Sequence, residues 1–276
     1  MIGADAPIGI FDSGVGGLTV VGELSRRLPA EELIYFGDTA RVPYGPKSPE
    51  TVYRYATEAT DFLISRGVKL IVIACNTATA HALNRLVERL PIPIVGVIEP
   101  GARAAVRATR SGRIGVIGTV GTIRSGAYDR EVRRLLPRAQ VFAQPCPLFV
   151  PFVEEGWGTR EVAKLVAEEY LRPIREVDID VLVLGCTHYP ILRPILAEVL
   201  GPAIELVDSA SETAADVERV LRESDLLRET GAPTTHHFIV SDSPIHFREM
   251  SRHFLGNDIG EVETIDLEGI GTTALG

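Results

Sequence analysis

Short runs of β-branched and aliphatic residues alternate with longer stretches of helical periodicity along the chain. Residues 8–11, 33–36, 70–74 and 94–98 predict strands, with helices such as 18–28 and 49–66 between them. That alternation predicts an α/β fold with parallel sheets. The second half repeats the plan, with strands expected at 113–117, 140–143, 181–184 and 205–207.

The strand ends of the two halves can be paired. Asp12 matches Thr119, Cys75 matches Cys186 and Glu99 matches Asp208, at nearly constant separation along the chain. An internal duplication accounts for that regularity and predicts two similar parallel-sheet α/β domains. The boundary is expected near Glu99-Pro100-Gly101, where Pro and Gly punctuate the chain. A helix over 212–222 and strand-like runs at 237–240 and 262–265 follow; alone they are too small to bury a core, so they are expected to return to the first domain. The expected domains are therefore 1–98 with 210–276, and 99–209.

In open parallel sheets, ligands bind at the carboxyl ends of the strands, where helix N-termini offer free N–H groups. The polar residues of this chain collect there, in Asp12-Ser13-Gly14-Val15-Gly16-Gly17, in 38–45, in Cys75-Asn76-Thr77, in Thr119-Val120-Gly121-Thr122 and in Cys186-Thr187-His188. They imply one half-site in each domain. The glycines at 14 and 16 begin a dinucleotide fingerprint, but its third glycine would fall at Thr19, and no P-loop motif is present. Two readings remain for this loop: a backbone that approaches a small carboxylate, or a tight structural turn.

Cys75 and Cys186 each end an apolar run just before a helix is expected. There the positive end of the helix dipole would lower a thiol pKa toward the reactive thiolate. The alternative for each is a small buried hydrophobe, which is the reading given to Cys146, since it has no mate in the first half. No metal is expected: Cys75, Cys186 and His188 lack a further ligand and the usual close spacing. A cysteine phosphatase loop would need Arg six positions after the thiol, where this chain has His81 and Leu192. A hydrolase built on Cys186 and His188 would leave Cys75 without a task. Asp12 is either a proton relay for Cys75 or a cap for the following helix. His188 is either a cation that favours a Cys186 thiolate or a satisfied structural histidine.

Composition narrows the partners. The chain has 276 residues, 45% of them hydrophobic and 24% charged, which is normal for a globular protein with two domains. A formal charge of −9 argues against nucleic acid as the main partner. No export signal or membrane-length apolar run is seen, so a cytoplasmic protein with three reduced cysteines is expected.

The strings Asp12-Ser13-Gly14-Val15-Gly16-Gly17, Asp38 with Pro43-Tyr44-Gly45, Ala74-Cys75-Asn76-Thr77, Gly96-Val97-Ile98-Glu99-Pro100 and Gly185-Cys186-Thr187-His188-Tyr189-Pro190 resemble, in order, the signatures of the bacterial glutamate racemases. The late Val240-Ser241-Asp242-Ser243-Pro244 fits the same pattern. The resemblance implies a cofactor-independent enzyme that makes D-glutamate for peptidoglycan, with its active site in a cleft between two α/β domains. It assigns Cys75 and Cys186 as the two acid–base groups, Asp12 as helper to Cys75, and His188 with Glu154 as helpers to Cys186; Glu155 is an adjacent competitor for the last role. It gives substrate contacts to Asp12, Ser13, Tyr44, Gly45, Asn76, Thr77, Thr119, Thr122 and Thr187. Glutamate is the implied small-molecule partner and a homodimer the expected assembly. The short N-terminus lacks the extension of activator-dependent members, which predicts an unregulated enzyme. His188 favours glutamate over the related aspartate racemases, which usually carry Glu after the second Cys-Thr. A pyridoxal enzyme would need a Schiff-base lysine from among Lys47, Lys69 and Lys164. A non-catalytic module that closes on a dicarboxylate is the alternative from another class.

Overall fold

The computed structural model describes residues 3–229 and 235–267. The first part of the chain runs β1 (Ile8–Asp12), α1 (Leu18–Arg27), β2 (Leu33–Gly37), α2 (Pro49–Ser65), β3 (Leu70–Ile73), α3 (Asn76–Arg89) and β4 (Ile94–Gly96). There follow α4 (Ile98–Ala108), β5 (Arg113–Gly118), α5 (Val120–Arg124), α6 (Ala127–Leu135), β6 (Gln140–Pro145), α7 (Phe149–Glu154), α8 (Glu161–Arg175), β7 (Val181–Gly185), α9 (Arg193–Leu200) and β8 (Glu205–Val207). The chain ends with α10 (Ala210–Glu223), β9 (His237–Val240), α11 (Pro244–Leu255) and β10 (Val262–Thr264).

These strands form two parallel sheets, one of six strands in the order β10-β9-β2-β1-β3-β4 and one of four in the order β6-β5-β7-β8. The second sheet repeats the order β2-β1-β3-β4 of the first. Cys75 and Cys186 therefore follow the equivalent third strand of each sheet. Strands β9 and β10 extend the first sheet beyond β2.

Period-two alternation explains why each sheet is covered on both faces. In β1 and β3, Ile8, Ile10, Leu70 and Val72 pack toward α1, α10 and α11. Their neighbours Phe11, Ile71 and Ile73 face the opposite way, toward α2 and α3. In the second sheet Ile114, Val116, Val181 and Val183 pack under α4 and α6, whereas Ile117, Leu182 and Leu184 face α8 and α9. Local signals set the helix starts: Ser48 caps α2 by accepting the Thr51 N–H at 3.3 Å, and Pro49 takes the first helical position.

The strand expected over 94–98 stops at Gly96. Ile98 opens α4, so Glu99-Pro100-Gly101 form the first turn of a helix instead of a loop. Pro100 is tolerated there because the first N–H groups of a helix have no intrahelical partner to lose.

At the amino ends of the first sheet, Lys69 and Glu31 form a buried ion pair at 2.6 Å, both shielded from solvent. Lys69 also donates to the Ala4 carbonyl at 2.5 Å, and Glu31 accepts the Arg228 N–H at 2.8 Å. The pair thus ties the N-terminal segment and the α10–β9 connection to the strand starts. Removing one partner strands the other charge away from water. Lys69→Met is expected to lower stability by about 3 kcal/mol in urea unfolding; a loss below about 1 kcal/mol, the range of exposed pairs, would refute this role.

Candidate active site

The loops at the carboxyl ends of the two sheets meet. A Cβ on Gly16, after β1, would lie 2.3 Å from Thr187 Oγ1 and 2.5 Å from His188 Nδ1, so only glycine permits this approach. A Cβ on Gly45 would lie 2.9 Å from Thr119 Cβ, and the Gly121 N–H donates to the Gly45 carbonyl at 2.8 Å. The hydroxyls of Thr77, Thr119 and Thr122 close a triangle with sides of 2.8, 3.0 and 3.1 Å. The glycine loop at 14–17 is therefore a close-packing device; of residues 12–17 only Ser13 lines the cavity.

Between these loops lies one small cavity, lined by Ser13, Tyr44, Gly45, Cys75, Asn76 and Thr77 from the first sheet and by Thr119, Glu154, Cys186, Thr187 and His188 from the second. Val42, Pro43 and Val150 complete the wall. Those three carry no reactive group; Pro43 belongs to the Pro43-Tyr44-Gly45 string, whereas Val150 carried no signal in the sequence. Asp12 and Thr122 stand behind the lining: Asp12 is fully buried and accepts the Gly14 N–H at 3.0 Å, and Thr122 reaches the cavity only through Thr77 and Thr119. The Asp12 carboxylate meets the N–H groups of Gly14 and Gly17 just ahead of α1, whose N-cap residue is Gly17.

Cys75 caps α3, its sulfur accepting the Ala78 N–H at 3.4 Å. The donor at the helix start does not prevail at this thiol. Burial, and after it the Asp12 carboxylate, push Cys75 up to about 12, outweighing the Ser13 and Ala78 donors that pull the other way. The helix expected immediately after Cys186 is also absent: a turn and a short 3₁₀ segment, Tyr189–Leu192, come before α9. A side chain stands in for the helix end. His188 Nδ1 lies 3.8 Å from the Cys186 sulfur, and its Nε2 lies 2.9 Å from Glu154 Oε1. Burial alone would lower His188, but these two partners overcome it and raise the ring to about 10, so it is an imidazolium at neutral pH. Glu154 therefore meets the histidine, while Glu155 is exposed. Burial raises Asp12 as well, opposed by the His188 charge and by the N–H groups of Gly14 and Gly17.

Asp38 organises the remaining wall. Its buried carboxylate accepts the Tyr44 hydroxyl at 2.5 Å, the Ser241 hydroxyl at 3.0 Å and the Arg41 guanidinium at 2.7 Å. The hydroxyl of Tyr44 is thereby committed to Asp38, leaving the rest of the residue to line the cavity. The string at 240–244 finds its task here, because Ser241 pins the 38–45 loop from β9. Two further residues carried no signal in the sequence. Phe254, on α11, packs edge-on against the His188 ring at 5.6 Å, and Tyr128, on α6, donates to Asn76 Oδ1 at 2.7 Å.

A family model described as Asp/Glu/Hydantoin racemase matches residues 9–217. A glutamate racemase of Geobacter metallireducens is 56% identical over 261 residues, covering 95% of this chain and 97% of that one. Among solved structures, a glutamate racemase isoform of Bacillus anthracis superposes with a TM-score of 0.91 at 41% identity, covering 95% of this chain and 98% of that one. The glutamate racemase of Francisella tularensis, solved in complex with D-glutamate, gives 0.90 at 39% identity, with 96% and 99% covered. An aspartate racemase of Picrophilus torridus, at 17% identity and a TM-score of 0.55 over 80% of this chain and 94% of that one, shares the fold alone. With a family model spanning most of the chain and relatives aligned along nearly all of it, the chain belongs to the Asp/Glu/hydantoin racemase family, among its glutamate racemases.

Proposed function

We propose that the protein interconverts L- and D-glutamate by proton transfer between two thiols, without a cofactor, and so supplies D-glutamate for peptidoglycan. The main support is that Cys75 and Cys186, following equivalent strands of two sheets, line one cavity. Each sulfur is near enough for charge on Cys186 to weigh on Cys75. One sulfur, as thiolate, forms an S–H bond with the α-proton as the Cα–H bond breaks. The electron pair left on carbon spreads into the carboxylate, where hydroxyl and N–H donors at the strand ends would stabilise it. The other thiol then delivers its proton to the opposite face, and the roles are exchanged for the reverse reaction.

The resting site is asymmetric, and this supports Cys75 as the first proton donor. Cys75 is held as the neutral thiol, ready to donate, whereas His188 holds a positive charge beside Cys186. Glu154 keeps that imidazolium in place. Ser13, Tyr44, Gly45, Asn76, Thr77, Thr119 and Thr187 are the proposed substrate contacts, with Asp12 and Thr122 acting from behind. The division into 1–98 with 210–276 and 99–209, a homodimer and a cytoplasmic location belong to the same proposal; among the described residues no helix is long and apolar enough to cross a membrane.

Glutamate of either hand, incubated with the purified protein in deuterated water without pyridoxal phosphate, is expected to lose optical rotation and gain α-deuterium. Activity on aspartate alone would select the aspartate branch, and binding without exchange would select the non-catalytic module. Cys75→Ala and Cys186→Ala are each expected to lower racemisation roughly 10³-fold or more; near-normal turnover in either variant overturns the two-thiol scheme.

Asp12 adds a prediction about stability. Its folded pKa lies above 3.8, so the contribution it makes is fully present below pH 3.8 and is lost as pH rises through the folded value. At neutral pH the buried carboxylate costs stability. Asp12→Asn is expected to be more stable than the parent by on the order of 1 kcal/mol at pH 7 while losing racemase activity, with the gain shrinking as pH falls toward 4. Chemical denaturation across that pH range checks the sign, and a variant that is less stable at every pH contradicts it.

A further inference from the structure

Asn76 presents an unusual half-finished arrangement. Its side chain is 3% exposed and lines the cavity, yet its Nδ2 has no hydrogen-bond partner. Its Oδ1 is satisfied from the other sheet by the Tyr128 hydroxyl at 2.7 Å. Tyr128 is itself 3% exposed and is held closely: Cβ atoms placed on Gly101 and Gly185 would each come within 3.1 Å of it.

We infer that Tyr128 is a positioning residue for glutamate binding: from the second sheet it fixes the Asn76 amide so that Nδ2, the donor end, is left to meet a substrate carboxylate. This rests on the racemase reading of the cavity. The reasoning is one of hydrogen-bond inventory. An amide can be turned either way, and a phenol can donate or accept. If the amide were reversed, Nδ2 would donate to the phenol oxygen, the buried phenol proton would lose the Asn76 acceptor, and Oδ1 would face the incoming anion. An unsatisfied buried donor and a repelled carboxylate both disfavour that state. Burial pushes the Tyr128 phenol well up, so the hydroxyl keeps the proton it must donate. Asn76 belongs to α3 and Tyr128 to α6, so the amide is set only when the two sheets are together.

A double-mutant cycle on the full chain tests the assignment, with D-glutamate as the probe and calorimetric Kd as the readout. Asn76→Ala is expected to weaken binding about tenfold or more, the loss of one hydrogen bond to a charged group. Tyr128→Phe, which removes only the hydroxyl, is expected to weaken it roughly threefold to tenfold, with the loss on Kd and KM instead of kcat. In the Asn76→Ala background, Tyr128→Phe is expected to add less than about twofold, because there is no amide left to orient. A packing defect would multiply with Asn76→Ala, whatever it did to the melting temperature. Unchanged binding in Tyr128→Phe, or full multiplication in the double variant, overturns the inference. Turnover is read separately, so a protein that binds D-glutamate through this bond without racemising it would sink the two-thiol proposal and leave the positioning role standing.

Discussion

Between Gly16 and the Thr187–His188 turn there is no room for even one side-chain carbon. The rest of the site depends on that contact, because it brings the loops of two separately built sheets within hydrogen-bond range. The Gly121 to Gly45 bond, the threonine triangle and the Tyr128 to Asn76 bond repeat the same contact along the seam. The proposed two-thiol transfer needs its groups on two opposed surfaces. Each sheet supplies one surface, and glycine at the seam lets them approach.

Closeness has an electrostatic consequence. Asp12, Cys75, Cys186 and His188 are all withdrawn from water, and each is shifted or supported by another member of the group. Cys75 with Asp12 favours the protonated thiol, while His188 held by Glu154 carries a positive charge. The two half-sites are alike in backbone and opposite in charge preference. Burial of this kind costs stability, which the apolar cores of two sheets covered on both faces offset.

Most of the fold was legible because hydrophobic runs of four or five residues separated by helical stretches leave few alternatives. Strand β4 was misjudged at its end: Ile98 is apolar enough to continue a strand, but Pro100 and its neighbours suit the first turn of a helix. The cysteines, Asn76, Thr77, Thr119, Thr187 and His188 were marked by their chemistry at strand ends. Val150, Tyr128 and Phe254 were not, since apolar wall residues and a helix-borne tyrosine look like ordinary core in a linear string.

The sequence by itself determined the two parallel sheets, their repeated plan and the pair of thiols, because those follow from local periodicity and from residue types at strand ends. Only the tertiary structure decided the charge of those thiols' surroundings. Cys75 sits at a helix N-terminus as expected, yet burial and Asp12 outweigh the Ser13 and Ala78 donors there. Cys186 has no helix directly behind it and relies on a histidine held from α7. Desolvation and through-space charge depend on what packs around a group in three dimensions, and that environment is assembled from segments well separated along the chain, as Asp12 is from Cys75 and Glu154 from His188.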